Sequence, residues 1–284
     1  MKEPLIFGYL ESWANPGITF TQAARNGYNA IVMAFGTING SQVSIYDNQF
    51  VPSGNQIAQD IAGAKAAGAR QIICSFGGGN NTYLPDNAAV DELAANIILF
   101  LKQYGFTGID FDLEINTSDS YLDNLCAAIR SQAPDIIITG APQINQATPE
   151  TNLYLVTTAH YQDYQLAINN KRFDYLLVQA YNNPSPELKM LGESNVEFIS
   201  TSFRNLKLSV PDETLIVIGE PAAKISAGFS IFTESDPSAD IYQKIAAQYE
   251  AIKSDPQFGG AMIWNINQDA ANNDLFIKSV KSLI

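Results

Sequence analysis

Short, continuously apolar runs alternate along this chain with stretches in which apolar residues return at every third or fourth position. The runs start near Leu5, Ala30, Gln71, Gly108, Ile136, Tyr175, Leu215 and Gly260. Ile72-Ile73-Cys74 and Leu215-Ile216-Val217-Ile218 have no polar alternation, as expected of parallel strands covered on both faces. The intervening stretches, 56–68, 91–105, 121–133, 153–169 and 240–254, read as helices. In the second of them Leu93, Ile97, Leu101 and Tyr104 share one helical face, and Gly68 and Gly105 stand where helix C-caps belong. Eight strand–helix units ending in a helix over 272–284 predict an α/β fold, a closed (β/α)8 TIM barrel, with residues 1–284 as one domain. An open nucleotide-binding sheet fits poorly. Its first strand should run into a glycine fingerprint, and here it runs into Gly8-Tyr9-Leu10-Glu11-Ser12-Trp13.

Composition narrows the partners. Of the 284 residues, 46% are hydrophobic, enough for a large core and against disorder. Sixteen Lys and Arg face 29 Asp and Glu, a net charge of −13. Such a polyanion repels phosphate backbones and anionic head groups, so neither nucleic acid nor membrane is expected as a partner, and a monomer is expected. Polarity is carried mainly by Asn, Gln, Ser and Thr, which suits a neutral, hydroxyl-rich ligand. Cys74 and Cys126 lie in apolar surroundings and read as buried thiols. With these two cysteines and the lone His160, no His-rich or Cys-rich zinc site can be assembled. His160, in a Tyr-rich stretch, reads as a packing or surface residue. No apolar run reaches the ~18 residues of a membrane span, and Leu5–Leu10 reads as a strand, not a secretory signal.

In a barrel of this kind, chemistry collects at the C-terminal ends of the strands. The fourth run ends Gly108-Ile109-Asp110-Phe111-Asp112-Leu113-Glu114. A strand repeats every two residues, so Asp110, Asp112 and Glu114 share one face and Ile109, Phe111 and Leu113 the other. The apolar face must meet the helices, which points three carboxyls into the barrel near its mouth. Each unpaired buried carboxylate costs several kcal/mol, and the three repel one another. At least one is therefore expected to stay protonated near neutral pH. A cage for Mg2+ or Ca2+ is the competing use of such oxygens; no metal and no cofactor is expected. Glu114, outermost, can serve as a general acid. Neighbours at i and i+2 lie roughly 6.5 Å apart along a strand, on one side of a bound sugar instead of flanking it. That favours the exceptional glycosidase mechanism in which the substrate's own 2-acetamido group is the nucleophile.

Gly108–Glu114 resembles the DxDxE signature of the family 18 glycoside hydrolases, the chitinases and their relatives. Ser75-Phe76-Gly77-Gly78 is similar to the family's SxGG, Ala141-Pro142-Gln143 to its fifth strand end, Gln179-Ala180-Tyr181-Asn182 to its sixth, and Trp264 to its eighth-strand tryptophan; Tyr9 and Ala34-Phe35 also fit. The likeness runs through nearly the whole chain in order. It implies Glu114 as acid/base, Asp112 orienting the acetamido N–H, Asp110 sharing a proton with Asp112, and Ser75 supporting Asp110. It also implies Tyr181 donating to the acetamido carbonyl and Trp264 as the sugar platform. Tyr9, Phe35, Gly77, Gly78, Gln143, Gln179 and Asn182 are the further substrate-binding candidates. Thr107 stands where the family often has Asp, a change expected to tune activity without abolishing it. The stretch after Gly219-Glu220-Pro221-Ala222 leaves no room for the small α+β insertion of some members, which predicts an open groove and internal cleavage. The partners implied are chitin or N-acetylglucosamine oligosaccharides, and hence an extracellular or secreted setting. An endo-β-N-acetylglucosaminidase acting on the N-glycan core and a non-catalytic sugar-binding barrel are the alternatives.

Overall fold

The computed structural model describes residues 2–14, 17–45, 54–79, 84, 87–114, 117–146, 153–156, 164–182, 197–232 and 240–284. The strands among them are β1 Leu5–Glu11, β2 Ala30–Asn39, β3 Gln42–Ile45, β4 Gln71–Gly77, β5 Gly108–Asp112 and β6 Ile137–Gly140. They continue with β7 Gln143–Gln146, β8 Leu153–Val156, β9 Tyr175–Gln179, β10 Leu215–Pro221 and β11 Phe258–Trp264. Strands β1, β2, β4, β5, β6, β9, β10 and β11 pair in parallel in that order, and the cylinder closes where β11 meets β1, with Gly260 opposite Leu5. This is the (β/α)8 barrel that the alternation of runs predicts.

Period-two alternation divides the apolar residues between two layers. Leu5, Phe7 and Tyr9 of β1 enter an inner cluster with Val32, Ile73, Leu177, Val217 and Met262, while Ile6 and Leu10 join an outer one. Inside, the Phe7 and Tyr175 rings meet edge-on at 5.1 Å. The outer layer is covered by α1 Phe20–Asn26, α2 Gly54–Ala66, α3 Val90–Tyr104, α4 Asp119–Gln132, α5 Gln165–Asn169, α6 Phe198–Leu206 and α7 Ile241–Glu250, followed by the short α8 Ile266–Ala271 and α9 Leu275–Val280. Helix α1 starts in a Thr19/Gln22 capping box, and its first N–H groups donate to the Asp60 carboxylate of α2, which satisfies orphan donors and fixes the two helices together. Gly105, in the left-handed region, ends α3, where the sequence places a cap.

Two expectations need correction. The stretch 153–169 is not one helix: Leu153–Val156 is a strand antiparallel to β7, and of the described residues only Gln165–Asn169 is helical. Leu155 is buried in the outer cluster and pairs with Ile144 of β7, so strand pairing overrides local spacing. The final stretch is broken too. Asn273 and Asp274, both left-handed, separate α8 from α9, and the Asp269 carboxylate accepts the first N–H groups of α9.

Candidate active site

Strand register assembles the deepest part of the site. Ser75, Asp110 and Thr139 lie side by side on β4, β5 and β6, all on the inner face. Asp110 is fully buried. Its Oδ2 accepts hydrogen bonds from the Tyr9 hydroxyl at 2.9 Å and from Ser75 Oγ at 2.7 Å. Its Oδ1 accepts from Thr139 Oγ1 at 2.6 Å. Burial raises the Asp110 carboxyl above the usual range, and the three O–H donors pull it back because they favour the ionised form. Tyr9 and Ser75 were legible from the sequence. Thr139 was not, although a lone hydroxyl closing the apolar run Ile136-Ile137-Ile138 was a signal.

Asp112 sits one step nearer the mouth, and its Oδ1 accepts from Gln179 Nε2 at 2.8 Å. Burial first, then the charges of Glu114 and Asp110, push its carboxyl well above the ordinary range. Glu114, partly exposed beyond the end of β5, is also raised, by burial. The backbone between these acids is braced by Tyr164, whose hydroxyl donates to the Phe111 carbonyl at 2.7 Å and accepts from the Leu113 N–H at 2.8 Å. Tyr164 precedes α5, and no local sequence pattern announced this role. Asp110 is thus a carboxyl satisfied by three hydroxyls, whereas the next acid along, with one amide donor, is the better place for a proton.

That difference has a measurable consequence. The pKa of Asp112 in the folded chain lies above its unfolded value of about 3.9, so the native state holds a proton that the unfolded chain releases. Ionisation therefore opposes folding progressively as pH rises above about 4. Asp112→Asn keeps the oxygen that accepts from Gln179 and places N–H where the proton would sit. It is expected to raise Tm by roughly 2–4 °C at pH 7 and to change it little at pH 4. Thermal unfolding at the two pH values checks this, and an equal shift at both would remove the ionisation argument.

The remaining candidates gather around this row. Tyr181 is buried, and its hydroxyl is pushed up first by burial and then by Asp112 and Glu114. Gln143 Nε2 donates to the carbonyls of Tyr181 and Asn182 at 2.9 and 2.8 Å. Asn182, left-handed and exposed, exchanges hydrogen bonds with the backbone of Phe229. Trp264 contacts Tyr9 at 5.6 Å and stacks with Phe35, which stacks in turn with Trp13. The peptides Ala34–Phe35 and Trp264–Asn265 are cis. Gly77 and Gly78 are both at positive φ, and the Gly78 N–H donates to the Asp112 carbonyl at 2.8 Å.

Other candidates fall away from the row. Thr107 is tied to both backbone groups of Ile72 near the start of β4, at the opposite end of the strands from Asp112. Cys74 and Cys126 are buried free thiols, both raised by burial. His160 lies outside the described residues. Among the described residues no group of three or more His, Cys, Asp or Glu is arranged to hold a metal ion, and no helix is long and apolar enough to cross a membrane.

Known proteins resemble this chain along most of its length. A chitinase of Enterococcus faecalis is 24% identical over 95% of this chain and 82% of its own length. Endochitinase 2 of Metarhizium anisopliae is 30% identical over 78% of this chain and 55% of its own, so the chain spans about half of that relative. Among solved structures, a family GH18 chitinase from Chromobacterium violaceum superposes with a TM-score of 0.77 at 22% identity, covering 99% of this chain and 83% of that one. The model of the glycosyl hydrolases family 18 matches residues 5–239. That match takes in most of the closed barrel, and the chain belongs to that family of glycosyl hydrolases.

Proposed function

We propose that this protein is a chitinase-type hydrolase that cleaves β-1,4 linkages inside chains of N-acetylglucosamine, with retention of configuration. The observation that carries this reading is the row of Asp110 and Asp112 on β5 with Glu114 two residues further along the chain, just past the strand end, and Tyr181 buried within reach of the charges of Asp112 and Glu114. Carboxyls stacked on one strand approach a sugar from one side, so the nucleophile must come from elsewhere, and the 2-acetamido oxygen is available. Glu114, raised by burial, protonates the leaving glycosidic oxygen and later takes a proton from water. Asp112, passing its proton to Asp110 as substrate binds, accepts from the acetamido N–H and sets its negative charge against the positive charge that develops on the ring formed. Tyr181 donates its hydroxyl to the acetamido carbonyl. Trp264, with its neighbour Phe35, offers a flat apolar surface to the sugar face. Between Pro221 and Phe258 the described elements are one 3-10 turn at Lys224–Ser226 and α7, which supports an open groove and internal cleavage of a polymer met outside the cell.

The test sets chitin oligosaccharides beside a high-mannose glycoprotein and records the anomer released by NMR immediately after cleavage. The expected outcome is cleaved oligosaccharide with the β-anomer appearing first. Cleavage of the glycoprotein alone would reassign the substrate to the N-glycan core. An α-anomer would remove the acetamido mechanism, and binding without turnover would make the barrel a sugar-binding protein.

A further inference from the structure

Two buried glutamines meet where β7 and β9 pair, with Gln143 opposite Gln179 and the Gln179 N–H donating to the Pro142 carbonyl at 2.9 Å. Gln143 is 2% exposed and Gln179 9%. Amides at a saccharide site ordinarily donate to sugar oxygens, but here both N–H hydrogens of each amide are already taken. A glutamine has two N–H hydrogens. Those of Gln143 go to the carbonyls of Tyr181 and Asn182. Those of Gln179 go to Asp112 Oδ1 and to the Ala141 carbonyl at 3.0 Å. Three of the four acceptors are backbone carbonyls, which cannot donate, so the orientation of each amide is fixed by chemistry. Each glutamine thus holds one group that would grip the acetamido function. Gln179 turns Asp112 so that Oδ1 is occupied and Oδ2 is the oxygen left for the substrate. Gln143 anchors the backbone that carries the Tyr181 ring, next to the Asn182–Phe229 exchange.

We infer that Gln143 and Gln179 are positioning residues, a pair of buried amides that sets Tyr181 and Asp112 at the acetamido group before substrate arrives; this rests on the function proposed above. Neither supplies an N–H to the sugar. Their worth is preorganisation: groups already aimed at the developing charge need not reorganise as it forms. The interaction is needed more in the transition state than in the bound substrate, so its loss should fall on kcat and spare KM.

Double-mutant cycles test this on a fluorogenic chitobioside. Methionine matches glutamine closely in length and lacks the donor. Gln143→Met and Gln179→Met are each expected to lower kcat about 10- to 100-fold, in line with the cost of an ångström of misplacement, with KM within about twofold. Added to Tyr181→Phe, Gln143→Met should cost less than about twofold further, and added to Asp112→Ala, Gln179→Met should do likewise, because residues acting through one another are not additive. Crossing the pairs, Gln143→Met with Asp112→Ala and Gln179→Met with Tyr181→Phe, should restore most of the single-variant cost. Full additivity within the matched pairs, or a rise in KM with kcat unchanged, would overturn the inference and return the amides to sugar binding. If a methionine variant does not fold, Gln→Asn, which keeps the amide but withdraws it by one methylene, enters the same cycle. The parent protein and Glu114→Gln are run alongside. Parent turnover that depends on Glu114 isolates the glutamine inference, and lack of parent turnover overturns the function itself and the inference with it.

Discussion

Glu114→Gln is expected to lower kcat on a chitin oligosaccharide by about 10^3-fold, with KM within about threefold. Glutamine preserves the volume and one acceptor oxygen of the side chain and removes the proton that the leaving oxygen must receive. General acid–base assistance is worth roughly 10^2- to 10^4-fold, and Glu114 is used twice, first as acid and then as base. The expectation draws on its position as well as its chemistry: it is the member of the row nearest solvent, partly exposed, with burial lifting its carboxyl above the ordinary range. A substrate with a highly activated leaving group, which needs little protonation, should recover part of the loss in its first step. Stopped-flow release of such a leaving group, compared with steady-state turnover of the natural linkage, separates the two roles. Unchanged steady-state turnover in Glu114→Gln would remove the row from the chemistry altogether.

Gly77→Ala is expected to be the most damaging single methyl group in the site. Gly77 has φ of +124°, a region that side-chain-bearing residues rarely adopt. A Cβ built there lies 1.9 Å from the Asp112 carbonyl oxygen and 2.6 Å from its carbon. The obstacle is backbone, on the paired strand β5, so relief requires β4 and β5 to part at the point where Asp112 is held. Strained φ and overpacking each cost about 1–3 kcal/mol. The expected destabilisation is on the order of 3 kcal/mol, or roughly 5–10 °C in Tm for a chain of this size. Activity at a temperature where the variant is still folded should also fall, because Asp112 moves with its carbonyl. Gly68→Ala is the control: φ there is +108° with nothing within 4 Å of the added methyl, so it carries the backbone strain without the collision. Equal losses in the two variants would mean that conformation alone, and not close approach to Asp112, demands the glycine.

These contrasts explain which parts of the protein were legible in its sequence. The carboxyl row was readable because strand alternation is local: one residue in two faces the axis, and Ile109, Phe111 and Leu113 declare the opposite side. The barrel was readable because each strand–helix unit repeats the same local pattern. Thr139 and Tyr164 were not, since they reach the row through register and through a loop, and pairing between distant segments leaves no periodic trace. The β7–β8 hairpin failed for the same reason, its alternation being short enough to pass for part of a helix. Gln143 and Gln179 were recognisable as members of the site, but which acceptors they serve depends on where the carbonyls of Ala141, Tyr181 and Asn182 come to rest.

The stack at the mouth also makes the protein its own optical reporter. Trp13 and Trp264 are both of the chain's tryptophans, and each lies against a face of Phe35, at centroid separations of 5.8 and 6.3 Å. Indole emission therefore originates at the mouth and nowhere else in the molecule. A saccharide settling over either ring should alter its colour and intensity, so occupancy can be titrated without a label, even in a variant that no longer turns over.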